Sequence, residues 1–139
     1  RLNQSDNGWG ERQLFWGFNI SKDNKFVKDC GKAAVLIFNS NTTGWLDGFL
    51  LNIPTFLLFE KHSWGDNENT KELFGKLEKM GVLFYSADAL ADHLNNNYTS
   101  VMKWWHSEKN QAGRQEILDE FCSVKSPNTL VTAFEALKV

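Results

Sequence analysis

The chain has 139 residues, a formal net charge of −2 and a pI near 5.9. That length suits one domain with a real core and needs no disulfide staples. The near-neutral, slightly acidic balance argues against a nucleic-acid binder working by bulk electrostatics, because such domains are usually basic. Aromatic residues make up 14% of the chain, with six Trp, and they need a large core or a partner surface to bury them.

The opening Arg1-Leu2-Asn3-Gln4 has no apolar core segment, so no signal peptide is expected. The chain reads as a fragment of something longer, with part of an active site outside it. Cys30 and Cys122 form no CxxC pair and read as buried free thiols of a reducing compartment. Asn-X-Ser/Thr triplets at Asn3, Asn19, Asn41 and Asn97 read as coincidental, and no apolar run approaches the roughly 20 residues that span a bilayer.

In chain order, residues 1–12 are polar and Gly-containing, and Gln13 to Phe18 reads as a short strand. Ser21 suits an N-cap with Asp23 in the first turn, for a helix from about Lys22 to Cys30 that Gly31 ends. Ala33 to Phe38 is a continuous apolar run, the pattern of a strand buried on both faces of a parallel sheet. Polar Asn39 to Thr43 follows, then a helix to about Leu51 with Trp45, Leu46, Phe49 and Leu50 inward. Asn52-Ile53-Pro54 breaks that helix, and Thr55 to Phe59 is the second buried strand. Residues 33–59 therefore predict a β-loop-α-β unit with parallel strands and a right-handed crossover.

Beyond the polar segment Glu60 to Asn67, the spacing of Leu73, Phe74, Leu77 and Met80 predicts a helix over 68–80 that Gly81 ends. Val82 to Phe84 reads as a third strand. Ser86 caps a helix to about Asn95 with Leu90 and Leu94 inward; Tyr98 to His106 and Glu108 to Phe121 are further helices. Ser126-Pro127 opens a last one carrying Leu130, Val131, Phe134 and Leu137. The alternation, then helices only, predicts an α/β, Rossmann-like, doubly wound parallel sheet with additional C-terminal helices, one domain over 1–139.

Four segments could carry chemistry. Ligands of open parallel sheets bind beyond the carboxyl ends of the strands. Asn39 to Asp47 lies there, at the start of a helix whose unpaired N–H groups and partial positive charge suit a phosphate. Ser40, Thr42 and Thr43 add hydroxyls, and Asp47 could accept from ribose hydroxyls. The bland reading of the same residues is a plain helix cap with an acidic first turn, and spacing alone favours neither. Glu60 to Glu68 opens on the same sheet edge, where Glu60 or His62 could hydrogen-bond a sugar and Trp64 could stack on a ring; a solvated loop is its bland reading. Arg1, Asp6 and Trp9 crowd the polar start. Trp104-Trp105 point in different directions on a helix, so at least one is expected to face something outside the local core, such as a further domain.

There is no G-x-G-x-x-G and no G-x-x-x-x-G-K-[ST], which disfavours a dinucleotide site and a P-loop. Without a D-x-D or closely spaced histidines, no metal is expected. Neither a G-x-S-x-G elbow nor a His partner for Cys30 supports nucleophilic catalysis.

Leu36 to Asp47, followed by Asn52-Ile53-Pro54-Thr55, resembles the C-terminal half of a family of bacterial surface-carbohydrate biosynthesis transferases. Trp64, Gly81-Val82, the Ala87 to Leu94 helix, Trp104-Trp105 and the opening Arg1-Leu2 with Asp6-Asn7-Gly8-Trp9 fit the same pattern. The resemblance implies half of a two-Rossmann-domain (GT-B) glycosyltransferase, with the other domain upstream. It further implies that Ser40, Asn41, Thr42 and Thr43 hold the donor's phosphate, that Asp47 sits near ribose where the family usually has Glu, and that Arg1 is the basic residue at the leaving group. Asp6 would be a catalytic carboxylate.

Some relatives resemble transferases of 3-deoxy-manno-octulosonic acid with a CMP-activated donor; UDP- and GDP-sugars stay open. The implied partners are a nucleotide-sugar donor and a glycan or lipid-linked glycan acceptor. No cofactor is expected, and the place of work is the cytoplasm, including the inner face of the membrane. Two other readings compete: a non-catalytic interaction module using Trp9, Trp16, Trp104 and Trp105, and a hydrolase or epimerase of nucleotide sugars.

Overall fold

The computed structural model describes Gly17 and residues 26–40, 42–60, 68–97 and 99–122. The chain divides into two compact units, Arg1–Lys32 and Ala33–Val139. In the first, helix α1 (Phe26–Cys30) ends as expected at Gly31, whose N–H donates to the Val27 carbonyl at 3.1 Å. Asp29 and Lys32 form an exposed ion pair at 3.3 Å. Within the expected strand over 13–18 only Gly17 is described, in a turn with φ +76°, while the expected cap at Ser21 and the last helix after Ser126 lie outside the described residues.

The second unit runs β1 (Leu36–Phe38), α2 (Gly44–Leu50), β2 (Thr55–Leu58), α3 (Glu68–Met80), β3 (Leu83–Phe84), α4 (Ala87–Asn97), α5 (Val101–Trp105) and α6 (Glu108–Phe121). The strands form one parallel sheet in the order β1-β2-β3. Leu36 pairs with Thr55 and Phe38 with Leu57, while Leu57 pairs with Leu83 and Leu58 with Phe84. The fold is α/β, with a small parallel sheet and several helices, as the strand-helix alternation required.

The central strand organises the packing because its side chains alternate between faces. Leu57 points into a cluster with Trp45 and Phe49 of α2, Leu77 and Met80 of α3, and Ile117 and Leu118 of α6. Phe56 points the other way, against Phe84, His93 of α4 and Trp104 of α5. Phe56 and Leu57 are both fully buried. Each such side chain contributes about 1.5–3 kcal/mol relative to exposure.

Two expectations shift. The apolar run 33–38 gives only a three-residue strand, and it is not buried on both faces: Ile37 is 53% exposed. β1 lies at the end of the described strand order, whereas β2 has a strand on either side. Leu50 is exposed rather than inward, and the core-facing position next to Phe49 is Gly48. A Cβ at Gly48 would collide with Thr55 Oγ1 and stand 3.0 Å from Leu36 Cδ1. That glycine lets a two-turn crossover helix lie close on the sheet.

Candidate functional site: the carboxyl edge of the sheet

Parallel strands end on one side. β1 ends at Phe38, β2 at Leu58 and β3 at Phe84, so Asn39 to Thr43, Phe59-Glu60 and Tyr85-Ser86 all leave the same edge. Of the expected site residues, Ser40, Thr42, Thr43 and Glu60 are exposed and Asp47 is half-buried in the first turn of α2. The structure thus brings Ser40, Thr42, Thr43 and Asp47 together at the β1–α2 junction, with Glu60 leaving the neighbouring strand. Arg1, Asp6, Asn41 and His62 lie outside the described residues.

The backbone at Thr43 bears on the choice between a cap and a binding loop. A capping Thr adopts extended φ/ψ and its hydroxyl accepts from an N–H of the first turn. Thr43 occupies the N-cap position with φ −63° and ψ −9°, a helical conformation, and its side chain makes no capping hydrogen bond. Its carbonyl accepts from Leu46 N–H at 3.0 Å. The Thr43 hydroxyl is therefore not committed to the helix. Ser107 shows the contrast: at φ −62° and ψ 149° its side chain accepts from Asn110 N–H.

The third strand adds two groups to this edge that were not assigned to it from sequence. Ser86 Oγ accepts from Ala89 N–H at 3.4 Å and caps α4, as expected. Tyr85 has its hydroxyl pushed up to about 12, first by burial and then by hydrogen bonding with Glu78. It is a neutral phenol at physiological pH. Applying the strand-end rule to Phe84 as it was applied to Phe38 and Phe59 would have found both.

The amino edge is built differently. Asn52 sits in the left-handed region at φ 54°, which Asn tolerates better than most residues. Trp105 Nε1 donates to Asn52 Oδ1 at 2.9 Å and approaches the Asn52 carbonyl at 3.2 Å. Gln111 Nε2 donates to Asn52 Oδ1 at 3.1 Å and to the Trp105 carbonyl at 3.0 Å. Arg114 Nε donates to the Phe49 carbonyl at 2.7 Å, placing a cation at the end of α2, where the helix dipole favours it.

Both indoles of α5 are used inside this unit. Trp105 is fully buried in the main cluster, and Trp104 stacks on Phe56 with centroids 5.2 Å apart and planes 13° apart. Successive helical side chains diverge, and each finds one face of the sheet. Trp105 faces nothing outside the local core, and half-buried Trp104 packs one ring face on Phe56.

Among the described residues no group of three or more His, Cys, Asp or Glu could hold a metal ion, and no helix is long and apolar enough to cross a membrane. Cys30 is buried and Cys122 half-buried.

A family model described as LIC12162 family transferase matches residues 1–134 of the chain. No curated protein and no solved structure matches it.

Proposed function

Because the chain belongs to the LIC12162 transferase family, we propose that it is the donor-binding domain of a glycosyltransferase, a Rossmann-like half of a GT-B architecture. Its task is to hold a nucleotide-sugar, CMP-3-deoxy-manno-octulosonic acid among the candidates, for transfer to a cell-surface glycan or glycolipid. The work takes place in the cytoplasm or at the inner face of its membrane. The observation that carries this reading is the β1–α2 junction. Exposed Ser40, Thr42 and Thr43 meet a helix start at the carboxyl edge of a parallel sheet, and the Thr43 hydroxyl is not used as a cap.

In this reading the donor's phosphate lies against residues 40–43, where hydroxyls and the first N–H groups of α2 offset its charge. Asp47 accepts from ribose hydroxyls. Glu60 and His62 bind the sugar, and Arg1 stabilises the departing nucleotide. The anomeric C–O bond to the nucleotide phosphate breaks, the acceptor hydroxyl oxygen bonds the anomeric carbon, and its proton passes to a carboxylate, for which Asp6 is the candidate.

The interaction-module reading loses two of its four supports, since Trp104 and Trp105 pack intramolecularly. A thermal-shift panel of CMP, UDP and GDP on the full chain tests the proposal. One nucleotide should raise the melting midpoint, and Thr42→Ala or Thr43→Ala should weaken that response. Silence with all three would sink it.

A further inference from the structure

The face of the sheet away from the main cluster holds a histidine in unusual surroundings. His93 of α4 stands among three aromatic rings: Phe56 of β2 at 5.7 Å, Phe84 of β3 at 5.2 Å and Trp104 of α5 at 5.1 Å. The turn before β3 closes the box. Gly81 has φ +74°, and a Cβ placed there would lie 3.6 Å from His93 Cε1 and 3.4 Å from Trp104 Cζ2. His93 Nε2 is buried and has no hydrogen-bond partner among the described residues. Leu90, one turn earlier on the same helix, is also buried. With half-buried Leu94 they form the inner face of α4.

We propose that His93 is a proton-operated latch: the neutral imidazole fits the aromatic box and holds α4 on the sheet, and the imidazolium, with no acceptor for its Nε2 proton, releases the helix. A neutral ring can leave one nitrogen as an unused acceptor, whereas the charged ring must donate from both. Phe56 stacks on Trp104, which closes one face of each of these two rings to a cation. Burial pushes the His93 imidazole below its ordinary value. The charged side chains on the surrounding elements are exposed: Asp88 and Asp92 on α4 itself, Lys103 on α5 and Lys79 beside the Gly81 turn. β2 and β3 bring none.

The sign follows from the lowered value. The unfolded or released helix binds the proton more readily, so the contribution of His93 is fully present above about 6.5, the ordinary imidazole value, and is lost as pH falls through the folded value below it.

The test is amide hydrogen exchange of α4 in the full chain between pH 7.5 and 5, corrected for intrinsic exchange, with His93→Phe as the non-titrating comparison. In the native protein the opening of residues 90–97 should rise by up to about tenfold per pH unit below 6.5, the slope of one linked proton. It should stay flat in H93F. Equal pH slopes in the two proteins would overturn the proposal. Should H93F fail to fold, an NMR titration of the native protein decides. The His93 Cε1 proton should titrate below 6.5 together with the α4 amides. A His93 midpoint at or above 6.5, or α4 amides that ignore it, would refute the latch.

Discussion

The amino edge of the parallel sheet and the β1–α2 junction at its carboxyl edge treat their polar groups in opposite ways. At the amino edge, Asn52, Trp105, Gln111 and Arg114 direct their hydrogen bonds at one another and at the end of α2, over sequence separations of up to 65 residues. At the carboxyl edge, Ser40, Thr42 and Thr43 are exposed, and the Thr43 hydroxyl does not cap the helix beneath it. Groups that satisfy one another inside the fold hold it together. Polar groups left facing solvent at the strand ends of an α/β sheet are where a ligand finds partners. The amino edge holds the fold together, the proposed donor site lies at the carboxyl edge, and substitutions can separate the two.

The largest effect is expected from Trp105→Ala. It empties the site of a fully buried indole and removes the donor to Asn52, so denaturant unfolding should show a loss of about 3–5 kcal/mol. Gly48→Val comes next. The added side chain has to displace Thr55 and Leu36, and a destabilisation of about 1–3 kcal/mol is expected from the same measurement. Asn52→Gly keeps the left-handed backbone but removes the acceptor shared by Trp105 and Gln111, for a loss of about 1–2 kcal/mol. Asn52→Ala should lose a further 1 kcal/mol or so from the positive φ.

The opposite edge should answer differently. Thr43→Ala should change stability by less than about 0.5 kcal/mol, because no cap is lost; a capping Thr would lose about 1 kcal/mol. The same variant should bind nucleotide several-fold more weakly by titration calorimetry. Last, Lys76→Met should leave the melting midpoint unchanged. Lys76 bridges Glu72, Glu116 and Glu120, but the network is solvent-exposed and adds little.

Much of this frame was legible in the chain. α3 and α6 start and stop where periodicity places them, and β2 matches its apolar run to within one residue, because each pattern is long or strongly apolar and closed by a clear breaker. The exposure of Ile37 was not legible, since an apolar run does not say which strand ends up central. Gly48 went unassigned, although a glycine within a predicted helix is itself a sign of close packing. The Asn52–Trp105 lock joins residues 53 apart and has no local signature. The candidate site was legible as a position, the junction after the first buried strand, because the strand-end rule needs only chain order. That the Thr43 hydroxyl does not cap α2 was not, because it depends on backbone angles that composition does not set.

The direct measurement is a hydrogen-exchange footprint of the full chain with saturating CMP, UDP or GDP. The account predicts that one nucleotide slows exchange across residues 39–47 and leaves residues 101–114 unchanged. Protection at 101–114 with none at 39–47, or no protection from any of the three, would contradict it.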